Sequence, residues 1–205
     1  MSFIEQPEQK PPTFEPETEK SSLMSQIKEF VWETLKVVII SLLIIVPVRY
    51  FLIQPFYVKG ASMEPSFYDH EYLIVDEISY RMGDPKRGDV VVFRYPEDRS
   101  QFFIKRVIGL PFETVVIKDG GITIKNQDNQ EGFILNEELY LSNTYTQGTV
   151  DITLKAGEYY LLGDNRTSSL DSRVFGTVSR SDLIGRAWFR GWPLNRVDVF
   201  SEPTY

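Results

Sequence analysis

The sequence predicts a mainly β protein, in which an antiparallel β-sheet domain follows one N-terminal transmembrane helix. Two observations support this: an uncharged apolar run between Val37 and Val48, and a series of short β-rich runs after Pro55. The 205-residue chain divides accordingly into a disordered cytoplasmic tail (1–24), a membrane anchor (25–53) and an extracytoplasmic β domain (54–205). A domain of about 150 residues is large enough to fold around one hydrophobic core.

The N-terminal tail is rich in Glu and Pro. Five glutamates and four prolines fall within the first twenty positions. Such a segment buries too little apolar surface to offset the entropy of ordering it, so we expect disorder. The formal net charge of -7 at pH 7 argues against a nucleic acid partner, because nucleic acid binding needs a basic surface.

The anchor is predicted from the run VVIISLLIIVPV, which holds no charged residue. Apolar neighbours extend it in both directions to the roughly 20 residues that a helix needs to cross a bilayer. Trp32 and Tyr50 fall where interfacial aromatic side chains are common, and Lys36 and Arg49 can extend toward the headgroups. The alternative is a buried core helix. A cleaved secretory signal is disfavoured, because the run begins far from Met1 and lacks a basic leader.

Basic residues on the two sides of the run give its predicted orientation. Lys20, Lys28 and Lys36 precede it, and Arg49 and Lys59 follow it closely. The small excess on the N-terminal side favours a cytoplasmic N-terminus and places the β domain outside the cytoplasm. The sequence leaves the plasma membrane and the thylakoid membrane as alternatives.

The segment after Pro55 reads as an antiparallel domain, because β-branched and aromatic runs alternate with Gly, Asp, Asn and Pro. No long stretch has a helical period, and a hairpin is predicted across Asp119-Gly120-Gly121. The predicted strands are Tyr72–Val75, Asp89–Tyr95, Phe102–Leu110, Thr114–Ile117, Ile122–Lys125, Val150–Leu154 and Tyr159–Leu162.

The chain has no cysteine and a single histidine, His70. Disulfides, thiolate metal sites and multi-histidine metal sites are therefore excluded, and we expect neither a metal nor a cofactor. We expect His70 to lie on the surface or in a loop, because nothing near it resembles a catalytic triad.

Three polar segments stand out. The first, Gly60-Ala61-Ser62, places a hydroxyl among small residues, where a backbone or a substrate can approach closely. A simple turn between helix and strand is the alternative. The second is a strand with Lys105 and Arg106 at its centre, which alternation directs to opposite faces, so that one of them faces inward. An inward lysine is either paired or neutral, and an edge-strand lysine is the alternative.

The third segment, GDNRTSSLDSR, begins at Gly163 after an apolar strand. Its Asp and Arg residues are suited to fix a loop by charge-assisted hydrogen bonds. By composition alone it would be a solvated loop.

Together the segments GASMEPS, KRGDVVVF, FIKRVIGLP and GDNRTSSLDSR, in this order behind an apolar anchor, resemble the type I signal peptidases. The resemblance extends from about Trp32 to Trp192. It implies a membrane-bound serine endopeptidase with the antiparallel fold shared by Ser/Lys proteases, including self-cleaving repressors. It also implies that Ser62 is the nucleophile and Lys105 the general base, and that signal peptides are removed after small residues in an Ala-x-Ala pattern.

The resemblance assigns supporting roles to the third segment. Ser169 would hydrogen-bond the lysine and orient it. Asp171 and Arg173 would pair to brace the loop that carries Ser169, and Asp164 and Arg166 would be structural in the same way.

The resemblance also implies how substrate is held. The backbone N–H of Ser62 would stabilise the oxyanion, while Gly60 stands where some family members carry a hydroxyl residue as a second donor. Met63, Ile104 and Val58 would line the substrate pockets for an extended peptide docked as an added strand. The expected partners are preprotein signal peptides, the lipid bilayer and the secretion translocon.

A lysine base must be neutral to accept a proton. Its reference pKa of about 10.4 must fall by roughly 3 units for that at pH 7, which burial can supply. We therefore expect Lys105 among apolar side chains such as Phe103, Ile104 and Val107, with no carboxylate in contact. The second segment ends in Leu-Pro-Phe-Glu where the family often has Leu-Pro-Gly-Asp, which puts the following turn in question.

Two rival functions remain. A self-cleaving repressor would need a DNA-reading head, which the acidic tail and the apolar run argue against. A membrane-tethered β domain that binds exported chains without cleaving them would look similar if Ser62 or Lys105 were replaced, and both are present.

Overall fold

The computed structural model describes residues 23–47, 53–142 and 145–200. The chain divides into two compact units, Met1–Ile45 and Val46–Tyr205. Nearly all of the predicted tail, residues 1–22, and residues 48–52 of the predicted anchor lie outside the described residues.

Helix α1 spans Leu23–Pro47, and nearly all its large apolar side chains are exposed. Lys36 Nζ lies 3.4 Å from Glu33 Oε1 and 5.6 Å from the centre of the Trp32 ring. In the part of the chain that the structure describes, no helix combines the length and the hydropathy that a bilayer crossing requires.

The described part of the second unit is built mainly from β-strands. The strands are β1 (Ile53–Tyr57), β2 (Tyr72–Asp76), β3 (Val90–Tyr95), β4 (Asp98–Gly109), β5 (Thr114–Lys118), β6 (Gly121–Lys125), β7 (Phe133–Ile134), β8 (Val150–Thr153), β9 (Glu158–Leu162), β10 (Val178–Ser179), β11 (Leu183–Trp192) and β12 (Asp198–Val199). Two short helices, α2 (Ile78–Met82) and α3 (Ser172–Phe175), and two 3-10 turns connect them.

The strands form two antiparallel sheets. The larger has the order β1-β2-β11-β3-β4-β9-β10, with β12 paired to β11, and the smaller has the order β7-β6-β5-β8. The prediction of a mainly antiparallel β domain is confirmed. All seven predicted strands are present, with boundaries that shift by up to four residues.

The predicted hairpin forms between β5 and β6. Lys118 pairs with Gly121, so the loop consists of Asp119 and Gly120, with φ values of 51° and 84°. Two consecutive positive φ values define the type of two-residue turn that matches the twist of the flanking strands. Asp and Gly are suited to these positions, and this explains why the sequence signal was reliable.

The turn after β4 also forms, although the sequence has Phe112 where glycine is expected. Phe112 adopts a φ of 68°, and its side chain is exposed. Glu113 closes the turn, since its Oε2 accepts the Leu110 N–H at 2.8 Å. The departure from Leu-Pro-Gly-Asp therefore leaves the turn intact but places a bulky residue in the left-handed region.

The C-terminal half of β4 is buried on both faces. Val107 packs in a cluster with Val91 and Leu161, and Ile108 packs in another cluster beneath the small sheet. Lys105 and Arg106 are both buried, with exposed fractions of 3% and 5%. The sequence predicted that one of the two faces inward; both are buried, because the chain covers both sides of this strand.

Candidate active site

Ser62 lies in the turn that follows β1. Buried Met63 and Phe67 fix this turn, and the Phe67 N–H donates to the Met63 carbonyl at 2.9 Å. Gly60 precedes the serine with a φ of 89°. Because the two neighbouring apolar side chains point into the core, the half-buried Ser62 is left at the wall of a cavity.

Lys105 reaches Ser62 from strand β4. Its Nζ lies 2.7 Å from Ser62 Oγ and 2.8 Å from the Ile104 carbonyl oxygen, and 5.5 Å from the centre of the Phe103 ring. Within the described residues no carboxylate contacts the amine. The structure thus brings together the two residues that the sequence singled out, although they are 43 positions apart.

The pKa of Lys105 is set by opposing effects. Burial lowers it from 10.5 to about 8, and the negative charges of Asp171 and Asp164 act in the opposite direction. Removing water disfavours the charged amine, because no protein group replaces its hydration fully. A substantial fraction of the amine is therefore neutral near pH 8 and can accept a proton.

The third polar segment is braced by ion pairs. Arg173 donates to the Asp171 carboxylate through Nε and Nη2, each at 2.8 Å. Asp171 Oδ2 also accepts the Gly163 N–H at 3.1 Å. The expected Asp171–Arg173 pair is therefore present.

Asp164 and Arg166 take partners that the sequence did not predict. Asp164 pairs with Arg106 on β4, with Oδ2 2.6 Å from Nη2. Arg166 pairs with buried Glu137, with Nη2–Oε1 and Nη1–Oε2 distances of 2.5 Å. Each of the two ion pairs connects the segment to a distant part of the chain, which sequence spacing cannot indicate. The structural role of Asp164 and Arg166 stays a prediction.

Ser169 does not hydrogen-bond Lys105 in this structure. Its Oγ is buried and has no hydrogen-bond partner in the described part of the chain. The side chain packs against Gly163, where an added Cβ would collide with Ser169 Oγ. The expected hydrogen bond between Ser169 and Lys105 is therefore absent from the structure, because the Ser169 hydroxyl is directed to Gly163. A role for Ser169 in orienting the lysine stays a prediction.

A cavity of about 310 Å³ opens beside the serine and the lysine. Val58 and Ile104 line it, and their contact with substrate stays a prediction. Met63 does not: it is fully buried in a core cluster with Leu73 and Ala187. The other lining residues are Phe56, Tyr57, Lys59, Ser62, Leu73, Val92, Gln101, Phe102, Phe103, Lys105 and Leu170.

The surroundings of Ser62 determine which groups can stabilise an oxyanion. Within the residues described, the Ser62 N–H donates to no acceptor. The Gly60 N–H is engaged, because it donates to Asp69 Oδ1 at 2.9 Å. The Ser62 N–H is thus available to a ligand and that of Gly60 is not.

His70 lies on the surface of this unit, as expected. Its φ is 69°, its Nδ1 is 3.0 Å from Asp69 Oδ2, and its ring packs edge-on against Tyr57. In the described ranges, no group of three or more metal-ligating side chains is assembled.

Several residues of the site make contacts that the sequence did not indicate. Glu137 and Arg106 hold the polar segment from distant elements, and Gly163 permits the close approach of Ser62 and Ser169. Asn165 contacts the serine turn directly. The glycine preceding an Asp-Asn pair was visible as a turn signal, but its packing role was not.

A buried lysine in contact with a serine at the wall of a cavity is the arrangement that a hydrolase of the Ser/Lys class needs. The model of the family described as signal peptidase, peptidase S26, matches residues 31–192. The chain therefore belongs to the signal peptidase family, and the predictions of a signal peptidase and of a serine peptidase are confirmed.

The chain is also similar to individual signal peptidases. The chain is 36% identical over 178 residues to signal peptidase I of Leptolyngbya laminosa, which covers 83% of this chain and 84% of that relative. It is 28% identical over 180 residues to signal peptidase IB of Staphylococcus aureus strain COL, which covers 82% and 93%. A crystal structure of signal peptidase I from Enterococcus faecalis V583 has 33% identity and a TM-score of 0.42, covering 51% of this chain and 97% of that one.

Proposed function

We propose that this chain is a membrane-anchored signal peptidase I that removes signal peptides from exported preproteins, with Ser62 as nucleophile and Lys105 as general base. The observation that carries the proposal is the 2.7 Å contact between Lys105 Nζ and Ser62 Oγ. The lysine that makes it is buried, with an exposed fraction of 3%. A free serine is a weak nucleophile and needs such a base.

The acylation step follows from this pair. Ser62 Oγ attacks the scissile carbonyl carbon while its proton passes to neutral Lys105 Nζ. The Ser62 N–H donates to the oxyanion that forms. The tetrahedral intermediate then collapses, the C–N bond breaks, and Lys105 returns the proton to the leaving amine.

Deacylation uses the same two residues. The signal peptide remains as an ester on Ser62, and a water molecule attacks the ester carbonyl while Lys105 takes one of its protons. When the C–O bond to Ser62 breaks, Lys105 protonates the serine oxygen. The Ser62 hydroxyl and the neutral Lys105 amine are then both restored.

The groove supports a preference for extended peptides with small residues at the cleavage site. Two segments border it, one ending at Lys59 after β1 and the other beginning at Gln101 in β4. Extended backbone on both sides is suited to a peptide added as a strand. Val58 and Ile104 would contact the side chains of an Ala-x-Ala sequence.

The proposal includes an anchor over residues 25–53, with residues 1–24 on the cytoplasmic side and the β domain in the extracytoplasmic space or lumen. The exposed apolar side chains of α1 support it. The proposed anchor continues past α1 through residues 48–52, which lie outside the described residues, and ends at Ile53, the first residue of β1. The bilayer and a secretion translocon would be partners. Protease treatment of intact and opened vesicles tests this topology. Protease on the extracytoplasmic or lumenal side should digest the β domain, and protease confined to the cytoplasmic side should not.

Cleavage of a preprotein by the purified chain in detergent tests the activity. Wild type should release a mature protein whose new N-terminus follows an Ala-x-Ala sequence, and Ser62→Ala and Lys105→Ala should leave the preprotein intact. Lys125→Ala, which removes an exposed lysine from β6, is the matched control and should cleave normally. Cleavage by both site variants at the wild-type rate would contradict the mechanism.

A further inference from the structure

Asn165 holds the serine turn from a distant part of the chain. Its Nδ2 donates to the Ala61 carbonyl oxygen at 3.1 Å, and its backbone N–H donates to the Ser62 carbonyl oxygen, also at 3.1 Å. The two carbonyls flank Ser62 on either side. A single residue therefore fixes both peptide groups that adjoin the proposed nucleophile.

The first of these contacts bears on the oxyanion donor. The Ala61 carbonyl and the Ser62 N–H belong to one peptide group, which is planar. The cis peptide bonds within the described residues precede Pro65 and Pro193, so this peptide is trans, and its carbonyl and N–H point in opposite directions. Fixing the direction of the Ala61 oxygen thus fixes the direction of the Ser62 N–H.

The amide of Asn165 is itself held in the required orientation. Thr167 Oγ1 donates to Asn165 Oδ1 at 3.1 Å, which turns the NH2 group toward Ala61. The Glu64 N–H also donates to the Ala61 oxygen, at 3.2 Å, so the carbonyl has two donors. Hydrogen bonds to a carbonyl polarise its peptide group and strengthen the N–H on the other side as a donor.

Asn165 acts without lining the substrate groove. It is absent from the residues that line the 310 Å³ cavity, where Ser62 and Lys105 are present. Gly60 supplies no hydroxyl, and its N–H is bound to Asp69, so the Ser62 N–H has no identified companion at this site. The direction of that one N–H then determines how well the oxyanion is stabilised.

We infer that Asn165 is the positioning residue of the oxyanion site: it aims the Ser62 N–H by binding the carbonyl oxygen on the other side of the same peptide group. The inference rests on the proposed function and goes beyond it. Loss of an oxyanion donor lowers kcat about 100- to 1,000-fold, so a Ser62 N–H that is no longer held in the right direction should lower kcat about 10-fold or more.

Asn165→Leu is the main test, since it keeps the side-chain volume and the backbone N–H but removes the amide donor. We expect kcat for preprotein cleavage to fall about 10-fold or more, with KM and the pH midpoint of the reaction unchanged. Affinity for a peptide aldehyde ending in Ala-x-alaninal, which forms a tetrahedral adduct with serine, should fall by a similar factor. Asn136→Asp, at an exposed asparagine in another turn, is the control and should change neither.

Thr167→Val is a second variant, because it releases the Asn165 amide without altering the serine turn. It should also lower kcat, by a smaller factor than Asn165→Leu. The inference is overturned if kcat stays within twofold in Asn165→Leu, if kcat falls while aldehyde affinity is unchanged, or if the pH midpoint moves, since that would mean action through Lys105. Should Asn165→Leu not fold, a Thr167→Val enzyme with wild-type kcat overturns it.

Wild type and Ser62→Ala are measured in the same assay. An inactive wild type would contradict the proposed function as well, whereas an active wild type with unaffected variants would contradict this inference alone.

Discussion

Gly163 lies against the carbonyl group of Ser62, so closely that a Cβ at position 163 would be 2.5 Å from the Ser62 oxygen and would also collide with Ser169 Oγ. The nearest atoms belong to the backbone and to a short side chain, neither of which can move far without shifting the serine turn. The absence of a side chain at Gly163 is therefore required by the position of the nucleophile.

Gly163→Ala should abolish most of the activity while the protein stays folded. The added methyl displaces Ser62 from Lys105, and a misplacement of about 1 Å can cost about 100-fold in rate. Preprotein cleavage and thermal unfolding should be measured together. Gly83→Ala is the matched control, since its Cβ would meet the Ser79 oxygen at an ordinary 3.4 Å. A Gly163→Ala enzyme as active as this control would show that the turn tolerates the shift.

The buried lysine should reduce the stability of the fold at neutral pH. Its folded pKa of about 8 lies below the ordinary value of 10.5, so the folded state carries a cost below pH 8 that disappears as the pH rises through 10.5. The shift corresponds to about 3 kcal/mol at most, and the lost hydrogen bonds to Ser62 and Ile104 reduce the net effect. Lys105→Met should therefore be more stable than wild type by about 1–2 kcal/mol at pH 7.

Denaturant unfolding in detergent at pH 7 and near pH 10 measures this difference. The advantage of Lys105→Met should shrink at the higher pH, because wild type gains stability there. A difference that stays constant between the two pH values would mean that Lys105 keeps its ordinary pKa in the folded protein.

Phe112 should be a strained position. An L-residue in the left-handed region costs about 1–2 kcal/mol, whereas glycine avoids that cost but loses some entropy on folding. Phe112→Gly should therefore be more stable than Phe112→Ala by about 0.5–1 kcal/mol. Both variants remove the same exposed ring, so their comparison isolates the backbone, and equal unfolding midpoints would argue against strain at this turn.

The reaction should depend on pH through the Lys105 amine. Only neutral Lys105 accepts the serine proton, so kcat/KM should rise with pH and level off above a midpoint near 8, which is the pKa of the buried amine. Initial rates from about pH 6 to 10 on one preprotein give this profile. A rate that is flat across the range would exclude Lys105 as the base.

Local patterns in the sequence predicted much of the sheet. The hairpin at Asp119-Gly120 and the strands β3 and β4 follow from alternation and turn residues, which act over a few positions. Strand β11, which lies between β2 and β3 in the sheet, was not predicted. Its register shifts beside Gly185 and near Arg190 break the alternation on which such a prediction depends.

The site was predicted in part, for the same reason. Ser62 and Lys105 were found through ordered motifs, but the side to which Met63 points is decided by its packing in one cluster with Leu73 and with Ala187 of strand β11. Likewise, Asp164 pairs with an arginine 58 positions away and not with its neighbour Arg166. Contacts between distant segments depend on the completed fold.

The most direct test of the Ser62–Lys105 pair changes the basicity of the lysine in place. Because the chain has no cysteine, Lys105→Cys introduces a unique thiol, which can be aminoethylated to give a lysine analogue with sulfur in the side chain. The sulfur withdraws electrons and lowers the pKa of the amine. We predict that Lys105→Cys is inactive, that aminoethylation restores cleavage, and that the restored enzyme has its pH midpoint below that of wild type. Restored activity with an unchanged midpoint, or full activity before aminoethylation, would contradict this prediction.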